Sequence, residues 1–531
     1  MATTGQPVAT HQGGEGYART NQSELFMLVS SFMGGDANFY ESQDERYKRL
    51  VTLSNICAVD DPTWFYDLVN WTRNDAKMRT AAGVMAVEGV RGRLQYARIH
   101  GEKVNTSQDS LNRNIINVAC SRADEPGEIL AYYSSNYGKN FPRAIRLGVG
   151  DAATRLYTER SYLRNGAGNN VSYSFQDVLR LTHPKPKDPF QDTLFSYILG
   201  KFDHEIDNAY LPKIMAREAL YKIPQDKRRE ALMAYASAKY DTHLADAEMD
   251  HMTMPAWLGS MDKAAWEACI PNMGVMAMLM NLRNFDKVGI SDGARQLVMA
   301  KISDPEEVAK SKVLPMRFLS AYRNAPSVSW HWPIEQGINH TLSQIPELKG
   351  NTLVMIDMSG SMSFGKISDK SQLTYADAAK IFGAVLKARN PHVDLVQYGT
   401  HAESIVVDPG TSVVKIMERF RAMGGTNTNQ VLRRITDQYR FKRVIIVTDE
   451  QAMAGRNVYS GAFGYQSEGP VGEFLPNDTM LYTWNLAGYA PAHTSGGLGN
   501  KHHLGGGFSD AAFSIFDQIE SRGNGKWPWE K

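Results

Sequence analysis

Asp357, Ser359 and Ser361 alternate at the end of the apolar run Val354-Met355-Ile356, and together they offer one carboxylate and two hydroxyls. The run reads as a buried strand that opens into a polar cluster. At the carboxyl edge of an open α/β sheet the loops converge, so these three side chains can face one point. Two later segments add donors of the same kind. Met423-Gly424-Gly425-Thr426-Asn427-Thr428 is a glycine turn entering a helix, with a hydroxyl on Thr426, and Val444-Ile445-Ile446-Val447-Thr448-Asp449 is a second buried strand ending in an acid. Asp357, Ser359, Ser361, Thr426 and Asp449 are all hard oxygen donors, which suits Mg²⁺ first, then Mn²⁺ or Ca²⁺, and disfavours zinc and copper. With two carboxylates in the set, coordination positions are left to water or to an incoming carboxylate.

Other chemistries compete for the same residues. A lone Asp-x-Ser-x-Ser is also a strand-end turn whose serines bond the backbone. The recurrence of suitable donors in three segments, each in the right local context, favours a metal site. Phosphotransfer from a strand-end aspartate calls for a second acid two residues on to protonate the leaving group, and Ser359 occupies that position. Metal-assisted RNA cleavage finds no second carboxylate clamp. No catalytic residue is assigned, and the expectation is a protein that is not an enzyme.

A second constellation is electrostatic. Between Lys139 and Lys187 there are nine cations (Lys139, Arg143, Arg146, Arg155, Arg160, Arg164, Arg180, Lys185, Lys187) against three acids (Asp151, Glu159, Asp177). Such an excess can neutralise several backbone phosphates, although a solvated helix face gives the same pattern. His183 follows a helix carrying Arg180, and Lys185 and Lys187 alternate with Pro184 and Pro186 on an extended stretch. That stretch presents cations at fixed spacing beside an imidazole that can stack on a base. A helix-capping histidine is the competing reading of His183.

The elements that must position these groups fall into two textures. From Gln22 to Ile345 apolar residues recur at three and four residue intervals, as in Phe190, Leu194 and Ile198, which predicts many short helices stacked as a solenoid. Pro326, Trp330-His331-Trp332-Pro333 and Gly337 break this pattern, and strands and helices then alternate in the order of a doubly wound parallel sheet with one antiparallel edge. The expected strands include Thr352 to Met358, Val393 to Gly399, Val444 to Thr448 and Met480 to Asn485, and the expected helices Tyr375 to Arg389, Val413 to Met423 and Ser509 to Ile519. Residues 1–21 are polar and glycine-rich and read as a flexible tail, and 496–507 read as a mobile loop. The aromatic end at Trp527-Pro528-Trp529 is expected to dock back on the helices.

The 531 residues exceed what one core serves, and a formal net charge of +1 gives no global sign of nucleic-acid binding. No apolar run reaches membrane-spanning length. Cys57, Cys120 and Cys269 lie far apart in apolar surroundings, which predicts reduced core thiols in a cytoplasmic protein.

Taken together, Asp357, Ser359, Ser361, Thr426 and Asp449 resemble the metal-ion-dependent adhesion site of von Willebrand factor A domains at every ligand position. That resemblance shows one departure, Glu450 where glycine is common after the final acid, and such a residue could compete for the metal or tune its charge. In the helical half, Asp177-Val178-Leu179-Arg180-Leu181-Thr182-His183-Pro184-Lys185-Pro186 resembles the Leu-Arg-Leu-Ser/Thr-His-x-Lys-Pro signature of Ro autoantigen proteins. Pro271 to Leu282 is similar to the buried Met-Pro helix of their TROVE module, departing at Gly274 and Met280, and Leu314 to Tyr322 is similar to a further TROVE segment.

The resemblance implies a TROVE ring of HEAT-like helical repeats over 22–345, a Rossmann-like von Willebrand A domain over 346–520, and a C-terminal tail over 521–531. It also implies RNA binding without chemistry. Small noncoding Y-like RNA would bind the outer basic surface, with His183 at the RNA-contacting position, and single-stranded 3′ ends of defective or precursor RNAs would enter the central hole. A 3′ exoribonuclease would share the work of RNA quality control, and a carboxylate-bearing protein would meet the metal. The rival reading is a metal-dependent protein-interaction adaptor in which RNA is incidental.

Overall fold

The computed structural model describes residues 3–9, 15–30, 43–102, 106–166, 172–202, 208–237, 243–311, 313, 315–342, 347–364, 373–390, 392–450, 471–487, 501–505 and 527–529. Two compact units emerge, one of residues 1–103, 314–316 and 342–531, the other of residues 104–313 and 317–341.

The first unit holds the sheets. Strands β1 (Thr3–Ala9) and β2 (Glu15–Arg19) pair antiparallel. The larger sheet comprises β3 (Thr352–Asp357), β4 (Val393–Tyr398), β5 (Ala402–Ser404), β6 (Arg443–Thr448), β7 (Met480–Asn485) and β8 (Lys501–Gly505) in the order β5-β4-β3-β6-β7-β8. All neighbours are parallel except β4 and β5, which makes β5 the antiparallel edge. Every residue of β3 and β6 is buried, as the unbroken apolar runs of strands covered on both faces require. The crossover helix Tyr375–Arg389 starts with a capping box between Thr374 and Asp377. Its Gly383 lies so close to the sheet that a Cβ there would sit 2.8 Å from Ile356 Cγ1 and 2.9 Å from Leu395 Cδ1.

The same unit includes helices α1 (Asn21–Ser30), α2 (Gln43–Asp60), α3 (Pro62–Asn74) and α4 (Arg79–Ile99). Asp61 caps α3 by accepting from the Trp64 N–H at 3.0 Å, and Pro62 opens the first turn, where its missing N–H costs nothing. Trp527 and Trp529 stack on each other with centroids 5.5 Å apart, and both rings meet Phe26 of α1 and Trp64 of α3.

The second unit is helical, with α5 (Thr106–Val118), α6 (Glu125–Tyr137), α7 (Arg143–Leu156), α8 (Glu159–Asn165), α9 (Phe175–Thr182), α10 (Pro189–Ile198) and α11 (Pro212–Lys222) followed by further short helices up to residue 341. No strand occurs among its described residues. The breaks are set locally. Thr158 and Ser161 form a capping box at the start of α8, Ser174 and Asp177 another at the start of α9, and Asp188 caps α10 ahead of Pro189.

Several sequence expectations change. Residues 3–9 and 15–19 pair as antiparallel strands rather than forming a tail, and Arg19 at the end of the second is buried against Glu450. Lys501–Gly505 is an edge strand rather than a loop, paired in register with Leu481–Asn485. The helix expected over Val413 to Met423 stops at Met417, leaving the chain free to turn into the glycine segment. Residues 22–103, expected with the helical half, are compact with the sheet. The helix expected over 509–519 lies outside the described residues.

Candidate metal centre and nucleic-acid interface

Asp357 ends β3 in register with Tyr398 at the end of β4, and β6 beside it ends one residue before Asp449. Backbone hydrogen bonds stitch the following loops together. Met358 N–H donates to the Tyr398 carbonyl at 2.8 Å, Met423 N–H to the Met358 carbonyl at 2.9 Å, Gly360 N–H to the Gly424 carbonyl at 3.0 Å and Asn427 N–H to the Gly399 carbonyl at 2.9 Å. Gly399 permits this approach, since a Cβ there would lie 2.5 Å from the Met423 carbonyl oxygen. The glycine turn carrying Thr426 is thereby drawn onto the strand-end loop carrying Ser359 and Ser361, whose hydroxyls are 3.3 Å apart.

Four of the five donors are buried, and Ser361 is half-buried. Asp357 is 0 %, Ser359 2 %, Thr426 4 % and Asp449 2 % exposed, a depth that acids rarely reach. Asp357 accepts from the Ser359 N–H at 2.9 Å and from the Thr448 hydroxyl at 2.6 Å, and no cationic side chain pairs with it among the described residues. Burial pushes its carboxyl above the usual range, against those hydrogen bonds. Burial also holds the Tyr398 phenol well above its ordinary value, with Asp357 adding to the effect.

These donors fit a hard divalent cation by chemistry: all are oxygens, and a buried carboxylate without a cationic partner is the group a cation would stabilise most. Among the described residues no group of three or more His, Cys, Asp and Glu gathers to hold a metal, so an ion here would depend on the hydroxyls as well. Sequence reading missed Thr448, which orients Asp357. A hydroxyl beside a strand-end acid was the available signal.

The ten basic-segment residues are all exposed. They are not equivalent. Arg155 donates to the carbonyls of Asn117 at 2.8 Å and Cys120 at 2.6 Å, closing the end of α5. Arg160 at 3.1 Å and Arg164 at 3.5 Å share Glu248 with Lys213. Lys139, Arg146, Arg180, Lys185 and Lys187 make no ion pair among the described residues, and their charge stays available to solvent beside the exposed imidazole of His183. Arg143 lies on the first turn of α7, with Arg146 one turn on.

The segment after α9 is built to hold its course. His183 adopts a left-handed conformation (φ 46°), and its N–H donates to the Leu179 carbonyl at 3.0 Å, ending the helix as an αL cap. Thr154 of α7 donates to the Lys185 carbonyl at 3.2 Å, and the Lys187 N–H donates to Gln191 at 3.0 Å. Gln191 is in turn fixed on the carbonyls of Thr154 and Tyr157, both at 2.9 Å. The backbone from His183 to Lys187 is therefore pinned while its side chains project outward.

The TROVE domain family matches residues 212–329, which include the Pro271 to Leu282 and Leu314 to Tyr322 segments but not the Asp177 to Pro186 signature. No curated protein matches the chain. Among solved structures the chain is similar to the crystal structure of the Deinococcus radiodurans Ro (RSR) protein, with a TM-score of 0.59 and 14% identity over 91% of this chain and 96% of that one. Identity that low speaks for the fold alone. With a TROVE match over residues 212–329 and the fold of a Ro protein along its length, the chain is similar to the Ro autoantigen family.

Proposed function

We propose that this chain is an RNA-binding protein of the Ro family, that it holds small noncoding Y-like RNA on the basic surface around α7 and α9, and that it receives single-stranded ends of structured RNAs within a ring of HEAT-like repeats. The observation that carries RNA binding is the TROVE match. The pinned, unpaired cations Arg180, Lys185 and Lys187 beside the exposed imidazole of His183 support the location. They can meet phosphates while the imidazole stacks on an unpaired base. Arg155, Arg160 and Arg164 are weaker contributors in this reading, because each is already engaged with protein oxygens. Partnership with a 3′ exoribonuclease in RNA quality control follows from the family, in a cytoplasmic setting.

The sheet unit, read as a von Willebrand A domain, would hold Mg²⁺, or Mn²⁺ or Ca²⁺, on Asp357, Ser359, Ser361, Thr426 and Asp449. Such an ion supplies Lewis acidity toward a carboxylate from a protein partner. Thr448 orients Asp357 for this, and the backbone bonds between the loops keep the hydroxyls assembled.

Gentle purification from the native cells followed by sequencing of the RNA that accompanies the protein tests the main reading. A discrete small structured RNA at near-stoichiometric amount is expected, and nucleic-acid-free protein would shift the weight to a metal-dependent adaptor. Changing Arg180, His183 and Lys185 together is expected to weaken RNA binding and to flatten its salt dependence by about two units of slope. Unchanged affinity and slope would remove the site from this surface. Asp357→Ala separates the two readings, since the RNA-binding protein keeps RNA while losing metal and the adaptor loses its main partner.

A further inference from the structure

Glu450 directly follows Asp449, the last residue of the proposed ligand set, and an acid there should by simple electrostatics join the metal. Its conformation says otherwise. The backbone is left-handed (φ 59°), a region that a residue with a long side chain enters only when its surroundings hold it there. The side chain is fully buried, and its Oε2 accepts from the Arg19 guanidinium and from Asn485 Nδ2 at 2.5 Å. Arg19 is itself 1 % exposed at the side chain and stands at the end of β2, more than four hundred residues away in sequence.

The pair touches the ligand set through a short relay. The Glu450 N–H donates to the Thr448 hydroxyl at 3.1 Å, and that hydroxyl donates to Asp357 Oδ2 at 2.6 Å. A second N-terminal arginine acts on the adjoining loop, where Arg46 of α2 donates to the Ala487 carbonyl at 2.5 Å and the Ala487 N–H donates to Asn485 Oδ1 at 2.9 Å. Asn485 thus joins the two contacts, one from each side of its amide.

From this geometry we propose that Arg19 is a specificity-determining positioning residue for the metal centre. By taking the Glu450 carboxylate it keeps the ligand set at two acids and preserves an open coordination position for an incoming carboxylate. A third acid would raise the affinity for the bare cation and repel or displace that ligand, because the charge count of the ligands tunes the affinity of such sites. Burying the acid against a guanidinium is the way to hold it there, since an unpaired buried carboxylate would turn toward the nearest cation. The inference rests on the metal reading given above.

The test uses the full chain and Mn²⁺ alone, titrated calorimetrically, with Asp357→Ala as the control. Wild type is expected to bind and Asp357→Ala not to; if neither shows a difference, the metal reading fails and takes this inference with it. Glycine accepts the left-handed backbone, so Glu450→Gly should fold, and it is expected to bind Mn²⁺ within about twofold of wild type while trypsin gains access to Arg19. A loss of about tenfold in Glu450→Gly would make Glu450 a ligand and overturn the proposal, as would an Arg19 site still resistant to trypsin. Arg19→Met is expected to bind Mn²⁺ about tenfold more tightly and to return to the wild-type value in combination with Glu450→Gly. Unchanged affinity in a folded Arg19→Met, alongside a wild type that binds, would show that the arginine does not restrain the acid.

Discussion

At the scale of single residues, exposure and charge do not by themselves distinguish a binding side chain from a structural one. Arg160, Arg164 and Lys213 all point at Glu248, whose carboxylate is 11 % exposed and whose backbone is left-handed at φ 50°. Burial alone would raise that carboxyl, but the Lys213 hydrogen bond and the charges of Arg160 and Arg164 overcome it and hold it below the ordinary 4.5. The folded protein therefore binds this proton less tightly than the unfolded chain does. The network contributes stability above pH 4.5 and loses it as pH falls through that value toward the depressed one. Glu248→Gln is expected to lower the melting temperature at pH 7 and to remove part of the loss seen on acidification. Parallel pH-melting curves for wild type and variant would expose the network as ornamental. By the same reasoning the thiols of Cys57 and Cys269, pushed up to about 12 chiefly by burial, are inert core groups as the sequence suggested.

At the scale of elements, the candidate centre is a product of register. Parallel pairing of β3 with β4 and β6 brings Asp357, Tyr398 and Thr448 to one edge, and a slip of one residue would turn Asp357 to the other face. The crossover helix Tyr375–Arg389 holds that register by lying close to β3 at Gly383. Gly383→Ala would drive a methyl into Ile356 and Leu395, two residues that are fully or almost fully buried. The expected cost is about 1–3 kcal/mol in denaturant unfolding, accompanied by weaker Mn²⁺ binding as the β3 end shifts. A variant as stable as wild type would show that the helix can ride outward without penalty. The strand and helix pattern was legible here because apolar runs, caps and glycine turns are local signals. β8 escaped because Lys501 to Gly505 has little apolar content and becomes a strand only by pairing with β7.

At the scale of the whole molecule, the ends of the sequence are tied into the sheet-bearing unit. Trp527 and Trp529 close an aromatic cluster with Phe26 and Trp64, so replacing both tryptophans by alanine is expected to cost about 3–5 kcal/mol and to depress the melting temperature of that unit. An unchanged melt would mean the cluster is peripheral. Docking of the aromatic end was readable from its composition; its landing place was not. The sequence by itself determined the oxygen donors Asp357, Ser359, Ser361, Thr426 and Asp449 as candidates, the helical and α/β textures, and the cationic run around His183, because donor chemistry, periodicity and charge are properties of residues and their near neighbours. Tertiary structure alone decided that residues 22–103 are compact with the sheet, that Arg155 closes a helix end, that Glu248 gathers three cations, and that Arg19 meets Glu450. Each of these depends on a contact between residues distant in sequence, and a buried charge reveals its partner only when the chain has closed around both.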